Sequence, residues 1–315
     1  MRANYQNKTV EIIVRDDCIK SITSYFNENI RYLLIADERV HSLYGQYFPT
    51  IEDFYLVKPG EGSKTIEEAL KIIKFMLDNN FQKEDQIIAF GGGVVGDLAG
   101  FVASVYKRGI KYINIPTTII AQVDSSIGGK VGVNFEGYKN QIGTFYHPEM
   151  IIVDPSLLKT LPEQEILSGF GEIVKYGALF DRQICTDIMK ERFDISRGIY
   201  RCIEFKIKIT EIDEFDTGKR QLLNFGHTIG HAIEAKYKLA HGIAIGYGMY
   251  LESNNEEIKK TLEAIGFNFN IEFKGLYPYI AKDKKIHGNK ITLIDLKELG
   301  RADLREGYIN EFIHQ

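Results

Sequence analysis

Apolar and polar positions follow two different rules along this chain. In the first half, short continuous apolar runs, "TVEIIV", "RYLLIAD", "DFYLVKP", "QIIAFGG", "KYINIP" and "MIIVDP", are separated by longer segments. Such runs, bounded by turn residues, predict strands buried on both faces, and therefore a mostly parallel sheet covered by helices. Between the third and fourth runs, "SKTIEEALKIIKFMLDNN" repeats Ile66, Leu70, Ile73 and Leu77 at helical spacing. Thr65 and Glu68 are spaced as a capping box, so this segment predicts a crossover helix with that stripe as its buried face. After "DPSLLKTLPEQE" strand signals nearly vanish and amphipathic helical patterns run from about 163 to 265. The expected layout is an α/β protein with a Rossmann-like, mostly parallel sheet domain over 1–160 and a mainly α-helical domain over 161–315. Within the second part, "KITLIDL" and "RADLREG" predict a hairpin around Gly300.

Composition narrows the function classes. With 315 residues and 44% hydrophobic content the chain can bury a large core, which excludes a disordered or fibrous protein and favours two domains. A net charge of -4 and a pI of 6.0 provide no global basic field, so nucleic acid is not the expected partner. An anionic ligand must instead be met by individually placed lysines and arginines. Cys18, Cys185 and Cys202 show no metal or redox spacing and read as reduced core thiols. The N-terminus has no apolar core of a leader, and no window approaches eighteen apolar residues, so a soluble cytoplasmic protein without a membrane partner is expected.

Two segments carry candidate chemistry. "QIIAFGGGVVGDLAGF" runs strand, glycine turn, helix, and Gly91, Gly93 and Gly96 satisfy GxGxxG, which lets backbone amides approach a pyrophosphate at a helix N-terminus. The plainer reading is a tight turn with close helix packing. The acidic residue suited to a ribose, Asp37, lies upstream of this turn rather than downstream, a variant of the usual arrangement. Thr117 and Thr118 in "IPTT", and Glu61 and Lys64 in "KPGEGSK", follow other strands, where open α/β sheets bind ligands. The second segment, "NFGHTIGHAIEAKYKLAHG", holds three of the seven histidines. Read as one helix, it puts Asn224, His227 and His231 on one face, and Gly226 and Gly230 imply a close approach of another element. His241 follows near a helix start. Glu172 in "GFGEIVKYG" would complete a three-ligand site, although a salt bridge with Lys175 one turn on explains it equally well. His41, His147, His287 and His314 are isolated and read as ordinary surface or hydrogen-bonded residues.

"GGGVVGDLAGF", "IPTTIIAQVDSSIGGKVGVN", "KNQIGTFYHP", "GFGEIVKYG" and "RQLLNFGHTIGHAIE", in this order and spacing, resemble the 3-dehydroquinate synthase family, and "KDKKIHGNK" resembles its C-terminal lysine motif. The resemblance implies a dehydroquinate synthase-like fold and an NAD-dependent, metal-dependent lyase. It would convert the sugar phosphate 3-deoxy-D-arabino-heptulosonate 7-phosphate to 3-dehydroquinate and phosphate. It also implies Glu172, His227 and His241 as ligands of zinc or cobalt. Its nucleotide residues correspond to Asp37, Glu61, Lys64, Gly92, Gly93, Val94, Asp97, Thr117, Thr118, Lys130, Lys139 and the Leu157, Leu158, Lys159, Thr160 turn. Its substrate contacts correspond to Asp124, Lys206, Arg220 and Asn224, with Lys130, Asn140, Lys175, His231 and Lys284 serving the reaction. Arg108 would reach the neighbouring active site of a homodimer.

The chain departs from that pattern in two places. The family reads HGEA where this chain has "HGIA", so Ile243 removes a carboxylate suited to orienting His241, unless Glu234 takes its place. The stretch between Met249 and Asp283 is also shorter than usual, and the C-terminal tail is trimmed. Three rival readings stand beside the main one. A related cyclase of the 2-deoxy-scyllo-inosose or valiolone synthase type would alter the segments that hold Asp97 and Lys130. A polyol dehydrogenase would release reduced cofactor. A binding protein would hold NAD without turnover.

Overall fold

The computed structural model describes residues 1–281, 290–308 and 311, so Lys284, His287 and His314 fall outside the described residues. The chain divides into two compact units. The first comprises Met1–Thr160 and Lys206–Glu211, the second Leu161–Phe205 and Ile212–Gln315.

Seven strands of the first unit form one sheet in the order β1 (Arg2–Tyr5), β2 (Lys8–Val14), β9 (Met150–Val153), β6 (Lys111–Pro116), β5 (Gln86–Gly91), β3 (Tyr32–Asp37), β4 (Asp53–Val57). Only the β1–β2 pair is antiparallel. The six apolar runs are all strands of this sheet, and the residues of its central strands alternate between two cores as the pleat requires. Leu33, Ile35, Ile87 and Ala89 enter one core together with helices α2 (Ile66–Asp78) and α3 (Gly93–Val105). Leu34, Ala36, Ile88 and Phe90 enter the other. Burial on both faces is why those runs are continuously apolar.

Three details differ from the sequence reading. The buried residues of α2 are Ala69, Ile72 and Met76, whereas Leu70 and Leu77 are more than half exposed. Ile66 and Ile73 of the expected stripe do pack, partly buried, against the same core, so the inward face runs through them and Ala69, Ile72 and Met76 and leaves Leu70 and Leu77 outside. Thr65 does cap α2, accepting from the Glu68 amide at 3.2 Å, but the Glu68 carboxylate takes the Tyr55 hydroxyl at 2.9 Å. The third is an additional antiparallel hairpin, β7 (Lys130–Phe135) with β8 (Tyr138–Phe145). Most of its residues are polar or exposed, so no apolar run announced it.

The second unit is mainly helical: α4 (Glu163–Phe180), α5 (Arg182–Met189), α6 (Ile195–Ile212, whose Lys206–Glu211 segment belongs to the first unit), α7 (His227–Tyr237), α8 (His241–Ser253), α9 (Glu256–Ala264) and the short α10 (Tyr277–Ile280). Helix α8 is buried from Gly242 to Met249. The irregular segment after α9 is held by rings, with Phe267, Phe269 and Phe273 each within 5.2 Å of Tyr247. The expected hairpin is present as β10 (Lys290–Glu298) and β11 (Arg301–Tyr308), and Gly300, at φ 88°, makes its turn and donates its amide to Ala178 O at 2.8 Å. All three cysteines are buried, and none is in a disulfide. Burial pushes the thiols of Cys18 and Cys185 up to about 12, which makes them inert at neutral pH. Among the described residues no helix is long and apolar enough to cross a membrane.

Candidate active site

In the first unit the candidate residues collect where parallel strands end. Strand β5 stops at Gly91, and Gly92 is the N-cap of α3 with no side chain capping it, so the first amides of a 13-residue helix are left for another acceptor. The turn is fitted to glycine. A Cβ on Gly92 would lie 3.0 Å from Thr118 Cγ2, and one on Gly93 would lie 3.1 Å from Ser125 Oγ. Thr117 N donates to Gly91 O at 2.9 Å, which locks the ends of β5 and β6 together. The Thr117 hydroxyl, on a residue only 4% exposed, has no hydrogen-bond partner. An unsatisfied buried hydroxyl costs roughly 1–3 kcal/mol, which a ligand oxygen or nitrogen would recover. Asp37 ends β3 beside the turn, its Cβ 3.4 Å from where a Gly91 Cβ would be, and its Oδ1 caps α1 (Glu38–Tyr44) through the amides of Arg39 and Val40. A glycine turn, uncapped amides, an orphaned hydroxyl and a neighbouring carboxylate fit the phosphates and ribose of a nucleotide.

Next to this turn, Lys64 Nζ lies 2.5 Å from Asp97 Oδ2 in the first turns of α3. Burial raises the Asp97 carboxyl above its ordinary range against the pull of Lys64. Asn134, which sequence reasoning missed, ties this loop to the hairpin. Its amide donates to Lys64 O at 2.8 Å, its Nδ2 donates to Glu61 Oε1 at 2.9 Å, and its Oδ1 accepts from the Asn140 amide at 2.9 Å. Asn140 itself is left-handed, at φ 52°. Lys130 and Lys139 stand exposed on the same hairpin, and Val94 is half-buried. The side chains of Leu157 and Leu158 are buried, so their turn presents only backbone, Lys159 and Thr160, the last bonded to the Tyr44 hydroxyl at 2.9 Å. Lys206 is 5% exposed, and its Nζ reaches Asp124 Oδ1 at 2.8 Å. Lys107 and Arg108 are both left-handed, at φ 46° and 62°, a conformation that costs about 1 kcal/mol or more per non-glycine residue. The strained turn leaves Arg108 exposed, with no ion-pair partner among the described residues.

The second unit builds its cluster inside packed helices. Glu172 in α4 is 1% exposed, and its Oε1 faces His227 Nε2 at 3.9 Å and His241 Nε2 at 3.4 Å. Its other oxygen, Oε2, is 2.5 Å from Lys175 Nζ, so an ion pair with Lys175 leaves Oε1 available on the histidine side. His227 Nδ1 lies 3.1 Å from Phe225 O, and His241 Nδ1 lies 3.0 Å from Glu234 Oε2, so both rings are anchored on the side away from Glu172. Burial alone would lower the His241 pKa, but the hydrogen bonds to Glu172 and Glu234 outweigh it and raise it to about 9. One carboxylate oxygen and two imidazole nitrogens, all within 4.8 Å of one another, form the three-ligand set that zinc and similar divalent ions take. The donors fit such an ion.

Close helix contact sets these distances. A Cβ on Gly171 would lie 2.0 Å from Gly242 O, so α4 and α8 touch backbone to backbone, and a residue adjacent to each glycine carries a candidate ligand atom, Glu172 after Gly171 and His241 before Gly242. Asn224, expected on the histidine face, instead ends a 3-10 turn over Lys219–Asn224. Gly226, at φ 76°, breaks the chain there, and α7 begins only at His227. Glu252, also missed, supplies the cap that Gly226 lacks, accepting from the amides of Gly226 at 2.8 Å and Ile229 at 3.2 Å. Its signal was its position eleven residues after His241, three turns along the same face of a glycine-rich helix. Arg220 is buried, with Nη1 on Glu214 O, and Asp213 holds its loop by accepting from the amides of Thr217, Gly218 and Arg220.

Comparison with known proteins places this arrangement. The profile of the 3-dehydroquinate synthase N-terminal region matches residues 54–168, and that of the C-terminal region matches 169–286. The 3-dehydroquinate synthase of Dictyoglomus thermophilum is 39% identical over 333 aligned positions, covering 97% of this chain and 94% of the relative. That of Clostridium perfringens is 43% identical, covering 80% and 78%. Among solved structures, a 2-deoxy-scyllo-inosose synthase complexed with carbaglucose-6-phosphate, NAD+ and Co2+ superposes with a TM-score of 0.86 at 22% identity, covering 99% of this chain and 97% of that one. A 2-epi-5-epi-valiolone synthase from Streptomyces hygroscopicus with NAD+ and Zn2+ gives 0.83 at 21% identity, covering 98% and 97%. Those two share the fold, and the matched profiles together with the closer relatives decide the family: this chain belongs to the 3-dehydroquinate synthases.

Proposed function

We propose that the chain converts 3-deoxy-D-arabino-heptulosonate 7-phosphate to 3-dehydroquinate and inorganic phosphate, with NAD used catalytically and a divalent cation, zinc or cobalt, held by Glu172, His227 and His241. The observation that carries this reading is the convergence of Glu172 Oε1 with the Nε2 atoms of both histidines in a chain of this family. We assign nucleotide binding to 1–160 and metal and substrate binding to 161–315.

When bound, NAD supplies a reversible hydride acceptor and the cation a Lewis acid for vicinal hydroxyl oxygens. The remaining work falls to side chains. Asp37 holds the ribose through the oxygen not used in capping α1, while the α3 amides and Thr117 hold phosphate and Thr118 the adjoining sugar. Glu61, Lys64, Asp97, Lys139 and the turn at Leu157, Leu158, Lys159 and Thr160 complete the nucleotide edge. Lys206, Arg220, Asn224 and Lys284 meet the substrate's phosphate and carboxylate, Asp124 orienting Lys206. Lys130, Asn140 and Lys175 would hold negative charge that develops on the substrate's oxygens, and His231 offers an imidazole nitrogen for the proton that moves as phosphate leaves. Arg108, held out on a strained turn, reaches the active site of a second copy in a homodimer. A cytoplasmic location fits the inert thiols.

The test is phosphate release from the sugar phosphate with NAD, with and without a chelator and added zinc or cobalt, while reduced nicotinamide is followed by absorbance. Catalytic, metal-dependent release without net reduced cofactor is the expected result. Accumulating reduced cofactor would identify a dehydrogenase, and no release from NAD-bound, metal-saturated protein would defeat the assignment.

A further inference from the structure

The side of His241 turned away from Glu172 carries the next inference. On α7, His227, His231 and Glu234 follow at spacings of four and three, which forms one stripe along the helix. Glu234, at the end of that stripe, places Oε2 3.0 Å from His241 Nδ1, and its side chain is 17% exposed. Position 243, where the sequence resemblance expects a carboxylate, is two residues beyond His241 on α8, and residues at that spacing do not face each other. Ile243 is 8% exposed among the buried residues of that helix.

We propose that Glu234 is the positioning residue for His241: its carboxylate accepts the Nδ1 proton, fixes the tautomer with Nε2 free, and aims Nε2 at the point shared by Glu172 and His227. This rests on the reading of Glu172, His227 and His241 as cation ligands. An imidazole can turn about its Cβ–Cγ bond, and the ligand closest to solvent, with its side chain 35% exposed, has most freedom to do so. The same geometry assigns Ile243 to packing alone, so an apolar residue at that position leaves His241 with its carboxylate partner.

The full-length protein would be titrated with zinc against a competing chelator, without substrate, and the visible bands of its cobalt form recorded. Glu234→Ala should weaken zinc binding by roughly ten- to a hundredfold and shift the cobalt bands, with NAD affinity unchanged. Glu234→Gln, which keeps an acceptor oxygen for Nδ1–H, should stay within about tenfold of wild type and retain the bands. Unaltered zinc affinity and cobalt bands in a folded Glu234→Ala protein would overturn the proposal. So would a loss in Glu234→Gln as large as in the alanine variant, which also decides the matter should the alanine variant fail to fold. His231, Glu234 and His241 themselves have donor atoms within 4.8 Å of one another. A second zinc equivalent that vanishes in Glu234→Ala, with the first bound as before, would make Glu234 a ligand and refute a positioning role. A wild-type chain that takes up no zinc overturns both readings, whereas tight zinc binding without turnover of the sugar phosphate would sink only the proposed function.

Discussion

In the first unit Asp37, Gly92, Thr117 and Thr118 lie at or just past strand ends, and much of what they offer is backbone amide and short hydroxyl. In the second, Glu172, Lys175, His227, His231 and His241 are helix residues whose long side chains must meet at one point. Those first-unit residues sit outside the sheet's packed cores, so a substitution there acts on a ligand contact and on the local turn, such as the α1 cap that Asp37 supplies, and leaves the sheet packing untouched. The helical cluster depends on helices packed without side chains between them, so a change there alters the packing and the chemistry together.

Metal removal gives the largest expected separation between the two units. Chelation should lower phosphate release by about a thousandfold or more, the equivalent of the several kcal/mol a Lewis acid supplies, while NAD binding measured by fluorescence stays within about twofold. A parallel loss of NAD affinity would show that the two units are not independent in binding.

Gly171→Ala tests whether helix contact sets the donor distances. Its Cβ would fall 2.0 Å from Gly242 O, and neither backbone has a flexible end to move aside. Destabilisation of about 1–3 kcal/mol is expected by urea titration, together with weaker zinc binding, because α4 and α8 carry Glu172 and His241 beside the contact. A variant with reduced stability but full zinc affinity would show that the cluster tolerates a shifted helix.

In the first unit the opposite pattern is expected. Thr117→Val removes a buried hydroxyl that no protein group satisfies, so the free protein should gain about 1 kcal/mol in stability while NAD affinity falls roughly tenfold. Stability and affinity falling together would mean that the hydroxyl serves the fold and not a ligand.

The contrast also decides what could be read from sequence. The six strands were legible as apolar runs, most plainly the central β3, β5 and β6, where both faces are buried and the run is continuous. The β7–β8 hairpin was not, since pairing between half-exposed strands needs no apolar face. Glu172, His227 and His241 stood out as polar residues in glycine-rich helical segments, and their meeting at one point follows from helix packing that no local pattern encodes. Asn224 was misplaced because Gly226 was taken as helix interior when its positive φ makes it the cap. Asn134, Asp213 and Glu252 escaped because each acts by accepting or donating backbone hydrogen bonds at a distance in sequence that only the fold determines.

Asp213 offers the smallest and most local test. Burial alone would raise its carboxyl, but the amides of Thr217, Arg220 and Gly218 outweigh that and hold it below its ordinary value of 3.8. A group with a depressed folded pKa contributes stability that is complete above the unfolded value and is lost as pH falls through the folded one. Asp213→Ala should therefore cost roughly 1 kcal/mol at pH 7, discounted for a half-exposed site, and the gap to wild type should close as urea midpoints are followed downward from about pH 4. Asp213→Asn keeps an acceptor oxygen and should recover part of the loss while removing its pH dependence. Because the same carboxylate holds the Arg220 amide at 3.0 Å, the alanine variant should also raise KM for the sugar phosphate several-fold with kcat nearly kept, the signature of a loosened binding group rather than of lost chemistry. A loss of kcat at unchanged KM would instead move Arg220 from binding the substrate to stabilising the transition state.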